Sequence, residues 1–197
     1  EEHKNDGGRG RGLVRIGEYT KGVFEKLEKR IDFPMRSSQI GGLSYGFDTL
    51  DWLTCGMQPE DFIVIAGRSP GRETDFLVNV IHSVVGPKSK IVVAFFSMKL
   101  SASQIHAQLV CTQGKVRRDN FSMGTIEDLE WPKLTWAAGN IYHTPLFIDD
   151  SPTLSLEDVR QKLTVLQSER AIGLVVIDSL QLLSDVRDEN NAGKVAR

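Results

Sequence analysis

Phe62-Ile63-Val64-Ile65-Ala66-Gly67-Arg68-Ser69-Pro70-Gly71-Arg72-Glu73-Thr74 is the stretch on which the reading of the fold turns. Five apolar residues lead into a glycine-containing turn, and a helix-period segment near 74–85 follows it. A run that is apolar throughout, rather than alternating, suits a strand buried on both faces of a parallel sheet. Three further runs share that character, at 91–96, 146–148 and 174–177. Other helix-period segments lie near 101–112, 127–138 and 155–169. Two of them begin with a serine suited to capping: Ser101 ahead of Ala102-Ser103-Gln104, and Ser155 ahead of Leu156-Glu157-Asp158. Strands alternating with helices of about 10–15 residues predict an α/β fold, with a mostly parallel sheet and helices on both faces.

In such a fold, ligands bind at the turn between a strand and the next helix. A phosphate-binding loop there would read G-x-x-x-x-G-K-[ST]. Its backbone N–H groups curl around phosphates, its lysine reaches the β/γ-phosphates, and its hydroxyl holds magnesium. Gly67 and Thr74 fall at the right spacing. Arg72 stands in place of the second glycine, with Gly71 one position early, and Glu73 stands in place of the lysine. By pattern alone the match fails, and a glycine-containing turn without ligand is an equal reading. Asp178, closing the apolar run of 174–177, fits the magnesium-side carboxylate of a nucleotide site. Strand-ending aspartates also cap helices, so it is the combination with 62–74 that favours a nucleotide-binding ancestry.

The chain has 197 residues, a net charge of −2, 40% hydrophobic and 25% charged residues, as in a globular domain with a short appendage. The charge argues against coating nucleic acid by bulk charge, though a local basic groove remains open. No run approaches the roughly 18 apolar residues of a spanning helix, so no membrane association is expected. The opening Glu1-Glu2-His3-Lys4 lacks a signal-peptide core, and two isolated cysteines, Cys55 and Cys111, make no disulfide framework. A reducing cytoplasm is the expected compartment. Residues 1–12 are expected to form a flexible tail, 13–39 a helical linker region, and 40–197 the main domain. Tyr19, Val23, Leu27 and Ile31 recur every fourth residue among charged neighbours. The partner of that stripe is either its own domain or a neighbouring subunit. The four histidines show no metal spacing, Asp149-Asp150 reads as a strand-end turn, and Lys115-Val116-Arg117-Arg118 as a solvated basic face. Trp52, Trp131 and Trp136 lie in helical patterns and are expected in the core, with an exposed tryptophan on the 127–138 helix that serves a partner as the alternative.

Several phrases together resemble the ATPase domain of DnaB-type replicative helicases, a branch of the RecA-like fold. They are Gly46-Phe47-Asp48-Thr49-Leu50-Asp51 followed by Gly56-Met57-Gln58-Pro59, then Phe96-Ser97-Met98-Lys99-Leu100-Ser101. Trp131-Pro132-Lys133-Leu134, Pro145-Leu146-Phe147-Ile148-Asp149-Asp150-Ser151-Pro152 and Val176-Ile177-Asp178-Ser179-Leu180-Gln181-Leu182-Leu183 complete the set. Residues 16–31 look like the family's linker helix, which packs on the adjacent subunit of a hexameric ring. The resemblance implies DNA replication, ATP or ADP with Mg2+, and single-stranded DNA. As partners it implies a helicase ring or self-oligomer, with primase or a helicase loader. It implies nucleotide contacts at Gly67, Arg68, Ser69, Gly71, Arg72, Thr74 and Asp178, with Thr74 and Asp178 as the magnesium anchors. The family continues past the Walker B strand into DNA-binding loops and an arginine finger, which places residues 40–197 short of a closed sheet.

Against the family pattern, both catalytic charges are inverted. Glu73 replaces the P-loop lysine, and Lys99 replaces the glutamate that activates the attacking water; Glu60 also replaces a turn glycine. A unit charge about 4 Å from a triphosphate contributes roughly 4 kcal/mol at an effective dielectric near 20, and inverting it costs about twice that. Weak or absent nucleotide binding and negligible hydrolysis are expected, since lysine cannot polarise water as a carboxylate does. A Glu73–Lys99 ion pair closing the site is one reading of the double inversion, and independent drift is the other. The functional alternative to a degenerate helicase domain is a non-enzymatic protein that docks on a helicase, primase or loader.

Overall fold

The computed structural model describes residues 15–31, 41–68, 71–86 and 89–184. The chain divides into two compact units, Glu1–Gly41 and Gly42–Arg197. In the first, a 3-10 turn at Ile16–Tyr19 runs into helix α1, Thr20–Ile31. Lys21 and Glu25, four residues apart, support it with a 3.8 Å ion pair. Tyr19, Val23 and Leu27 of the apolar stripe are exposed, as is Phe24. The side chain of Ile31 and the expected tail at 1–12 lie outside the described residues.

The second unit runs α2 (Asp48–Thr54), α3 (Arg72–Val84), β1 (Val92–Ser97), α4 (Ala102–Gly114) and α5 (Arg118–Met123). It continues through α6 (Trp131–Tyr142), β2 (Leu146–Asp149), α7 (Leu156–Glu169) and β3 (Ile172–Asp178). The sheet is parallel, in the order β2-β1-β3. Every residue of β1 is buried, because β1 alone has a strand on each side and helices on each face. Val93 and Phe95 point to a core shared with Val78 and Ile81 of α3, Ile105 and Leu109 of α4, and Ala137 of α6. Ala94 and Phe96 point the other way, to Val159 of α7 and to Leu154 and Leu183. This is the expected α/β layering.

The segment 62–66 departs from expectation: it has no regular secondary structure and joins no strand of the sheet. Its side chains alternate between more and less exposed, with Phe62 at 86% and Val64 at 68%. An apolar run encodes a demand for burial, but a ladder also needs a neighbouring backbone, and the described sheet pairs β3 only with β1. The helix expected near 127–138 begins at Trp131 instead, because Pro132 fits only the first turn. Leu134, Ala137 and Ile141 then face the core, leaving Trp131 and Trp136 exposed; Trp52 on α2 is exposed too. None of the three tryptophans is a core residue.

Local signals fare better. Ser101 and Ser155 both form complete capping boxes, with Gln104 and Asp158 respectively. The Gln58–Asp61 turn closes with Gln58 N–H donating to Asp61 Oδ2 at 2.8 Å and Asp61 N–H to the Gln58 carbonyl at 3.2 Å. Glu60 sits in that turn at φ 73°, a left-handed conformation that suits the glycine it replaces. Glu60→Gly is therefore expected to raise the unfolding free energy by about 1 kcal/mol, read from the urea midpoint.

Candidate functional site

Three parallel strands end on one side of the sheet, and the polar residues that close them gather there. Ser97 at the end of β1 is in register with Asp178 at the end of β3, and Met98 N–H donates to the Asp178 carbonyl at 2.8 Å. Ser97, fully buried, shapes the turn that follows: its hydroxyl donates to the Leu100 carbonyl at 2.8 Å and accepts from Leu100 N–H at 3.2 Å. That turn carries Lys99 over the end of β3. At β2, Asp149 accepts from Lys162 of α7, and Asp150 accepts from Ala102 N–H at 2.8 Å, fixing the start of α4. Burial raises the Asp149 carboxyl, but the hydrogen bonds from Lys162 and Ser151 outweigh it and hold the group below its usual value. Asp149 and Asp150 are framework residues.

The turn into α3 approaches from the other side. Gly71 takes φ 89° ahead of Arg72, so the left-handed residue lies one position before the expected glycine and Arg72 opens the helix. Thr74, buried in the first turn of α3, donates its hydroxyl hydrogen to Asp178 Oδ2. Lys99 Nζ lies 3.1 Å from Asp178 Oδ1; the carboxylate side chain is 3% exposed and the lysine 36%. Lys99 thus pairs with Asp178, and the Glu73–Lys99 bridge suggested by the double inversion does not form. The register that sets Ser97 beside Asp178 brings Lys99 to the aspartate first.

Glu73 folds back on the loop instead. Its Oε1 comes within 2.6 Å of where a Cβ on Gly67 would stand, and Oε2 is buried with no hydrogen-bond partner. The carboxylate therefore fills the space against Gly67. A cavity of about 300 Å3 opens beside it, lined in part by Gly71, Arg72, Thr74, Lys99, Gln108 and Arg118. Arg118 is held at 2.9 Å by Asp75 and Lys99 by Asp178, while Arg72 makes no ion pair among the described residues. Arg68 is exposed, and Ser69 lies outside the described residues. Gln108, whose Oε1 is buried and unpartnered, lines the cavity without having been singled out in the sequence, and Arg118, read there as part of a solvated basic face, lines it too. Burial pushes the Cys111 thiol up, with Arg118 pulling against it, so the thiol in the adjoining cavity is a poor nucleophile.

Thr74 and Asp178, the expected magnesium anchors, are thus together, but Asp178 has one oxygen on Thr74 and the other on an ammonium. A divalent ion about 4 Å from that ammonium would meet roughly 8 kcal/mol of repulsion at an effective dielectric near 20, less where solvent reaches Lys99. As arranged, the residues do not fit magnesium.

The family model for the DnaB-like helicase C-terminal domain matches residues 42–197. The chain belongs to the DnaB-like helicase C-terminal domain family. Among curated relatives, the replicative DNA helicase DnaB of Geobacillus stearothermophilus is 35% identical over 148 residues, which is 75% of this chain and 32% of the relative. The probable replicative DNA helicase of Trieres chinensis is 33% identical over 178 residues, 89% of this chain and 39% of the relative. The chain therefore spans about a third of the length of these relatives. Two solved structures share the fold at a TM-score of 0.73: a separately solved ATPase domain, at 23% identity, and a DnaB-like replicative helicase described with its interactions with primase, at 24%. Each superposition covers 88% of this chain, with 60% of the first neighbour and 40% of the second. The family carries the RecA-like fold.

Proposed function

We propose that this domain serves DNA replication as part of a replicative helicase assembly, in the cytoplasm, and that its own nucleotide site is degenerate. Binding of ATP or ADP is weak, and hydrolysis is negligible. The observation that carries this reading is Lys99: the position where the family places a carboxylate to activate water holds an ammonium bound to Asp178. An ammonium has no lone pair to accept a proton from an attacking water, so the general-base contribution of about a hundredfold to ten-thousandfold is lost. Glu73 adds to this by setting a negative charge against Gly67, in the turn proposed to meet the phosphates. The partners proposed are a ring of like subunits or a helicase ring, with primase or a loader, and single-stranded DNA in the assembled ring. Among the described residues no helix is long and apolar enough to cross a membrane.

The test is phosphate release by the full chain with ATP, magnesium and single-stranded DNA. Release indistinguishable from buffer is expected. Turnover at the rate of an ordinary enzyme, about 1 per second or faster, would overturn the reading.

A further inference from the structure

We infer that Lys99 is an internal replacement for the divalent cation at Asp178, so that this carboxylate is satisfied without metal. Both oxygens of Asp178 are in use, Oδ2 by the Thr74 hydroxyl and Oδ1 by Lys99 Nζ at 3.1 Å. A carboxylate this deeply buried requires a cation or several donors, and the chain supplies both kinds from its own side chains. The lysine is not there by the accident of a long, mobile side chain. The buried Ser97 hydroxyl, bonded twice to Leu100, fixes the turn, and the Met98 N–H to Asp178 carbonyl bond fixes that turn against the end of β3. These bonds fix the backbone of Lys99 at the end of β3, and the ion pair holds its ammonium on the carboxylate.

The same substitution of kind appears on the anionic side. Glu73 places a carboxylate against Gly67, where a phosphate-binding loop would hold its anion. The site thus contains a resident cation and a resident anion, each attached to the chain. A divalent ion has to displace Lys99 before it can reach Oδ1, and charge repulsion opposes its doing so. The inference rests on the placement of Lys99 and is independent of whether nucleotide binds.

Thermal unfolding of the full chain in MgCl2, against NaCl of equal ionic strength, tests it. The wild type is expected to melt at the same temperature in both salts. Lys99→Ala is expected to melt several degrees lower in NaCl and to recover about half of that loss in MgCl2, because the bared Asp178 becomes a metal ligand. Magnesium stabilisation of the wild type that Asp178→Asn removes would overturn the inference. So would a folded Lys99→Ala chain that magnesium leaves unaided. Manganese titration of the wild type, followed by electron paramagnetic resonance, needs no variant and covers the case in which Lys99→Ala does not fold. No stoichiometric site is expected, and one stoichiometric, magnesium-displaceable site would overturn the inference. A wild type that bound no metal yet released phosphate would refute the proposed function while leaving this inference standing.

Discussion

Glu73→Lys is expected to tighten binding of a fluorescent ATP analogue by about a hundredfold to a thousandfold. Two effects add. Glu73 now presents a negative charge beside Gly67, and its Oε1 lies within 2.6 Å of the position a Cβ there would take. Replacing it with a cation changes the sign of an interaction worth roughly 4 kcal/mol at about 4 Å, which solvent screening reduces to a fraction of the full inversion. The second effect is steric, since the carboxylate leaves the loop. Glu73→Gln separates the two: it removes charge while keeping the bulk, and about a tenfold gain is expected. Stability should move the other way. Glu73 lies in the first turn of the 13-residue helix α3, where an acidic residue is favoured, so Glu73→Lys gives up about 0.3–1 kcal/mol. Fluorescence anisotropy reads the affinity and urea unfolding the stability. A variant no tighter than wild type would show that the loop is closed by its backbone rather than by Glu73.

Lys99→Ala is expected to lower the unfolding free energy by roughly 3 kcal/mol. Breaking a buried pair by removing one partner costs about 3–5 kcal/mol, because the surviving charge is stranded. The lower end applies here, since the Lys99 side chain is 36% exposed and water reaches part of the gap it would leave. Asp178 would retain only the Thr74 hydroxyl among its described side-chain donors. Lys99→Arg, which keeps the charge but has to seat a planar fork in the place of a compact ammonium, is expected to lose about half as much. Urea midpoints at neutral pH measure both. A loss under about 1 kcal/mol for Lys99→Ala would mean that the pair contributes no more than an exposed one.

The parts of this structure legible in the sequence are those encoded over a few neighbouring residues. The capping serines, Ser101 and Ser155, needed only the residues three positions on, and both boxes form. The central strand was legible because residues 91–96 are apolar without interruption, and β1 is buried throughout. Residues 62–66 carry the same pattern and form no strand, since pairing depends on which backbone lies alongside. The tryptophans of α6 were misread for a related reason: Pro132 sets where the helix begins, and with it which face turns inward.

At the site, the inverted charges were visible as types, but their partners were not. Glu73 and Lys99 invited pairing with each other because their changes are reciprocal. A better signal was present: the apolar runs closing β1 and β3 are each followed at once by a polar residue, Ser97 and Asp178. Parallel strands that end level bring together whatever follows them, and Lys99 follows by two residues. Gln108 had no such signal, because the packing of α4 brings it to the cavity, and Arg118 reaches it from the start of α5 through its pair with Asp75 of α3.

The bond between Lys99 and Asp178 also constrains the history still open to this chain. Lys99→Glu alone, a step toward the pattern the resemblance implies, would strip Asp178 of its cation and set a second carboxylate beside it. Glu73→Lys alone would supply a phosphate grip with no base to use it. Each single reversion is either harmful or idle, and only the pair is useful. The two positions are therefore coupled through Asp178, and a return to the family pattern has to change both together.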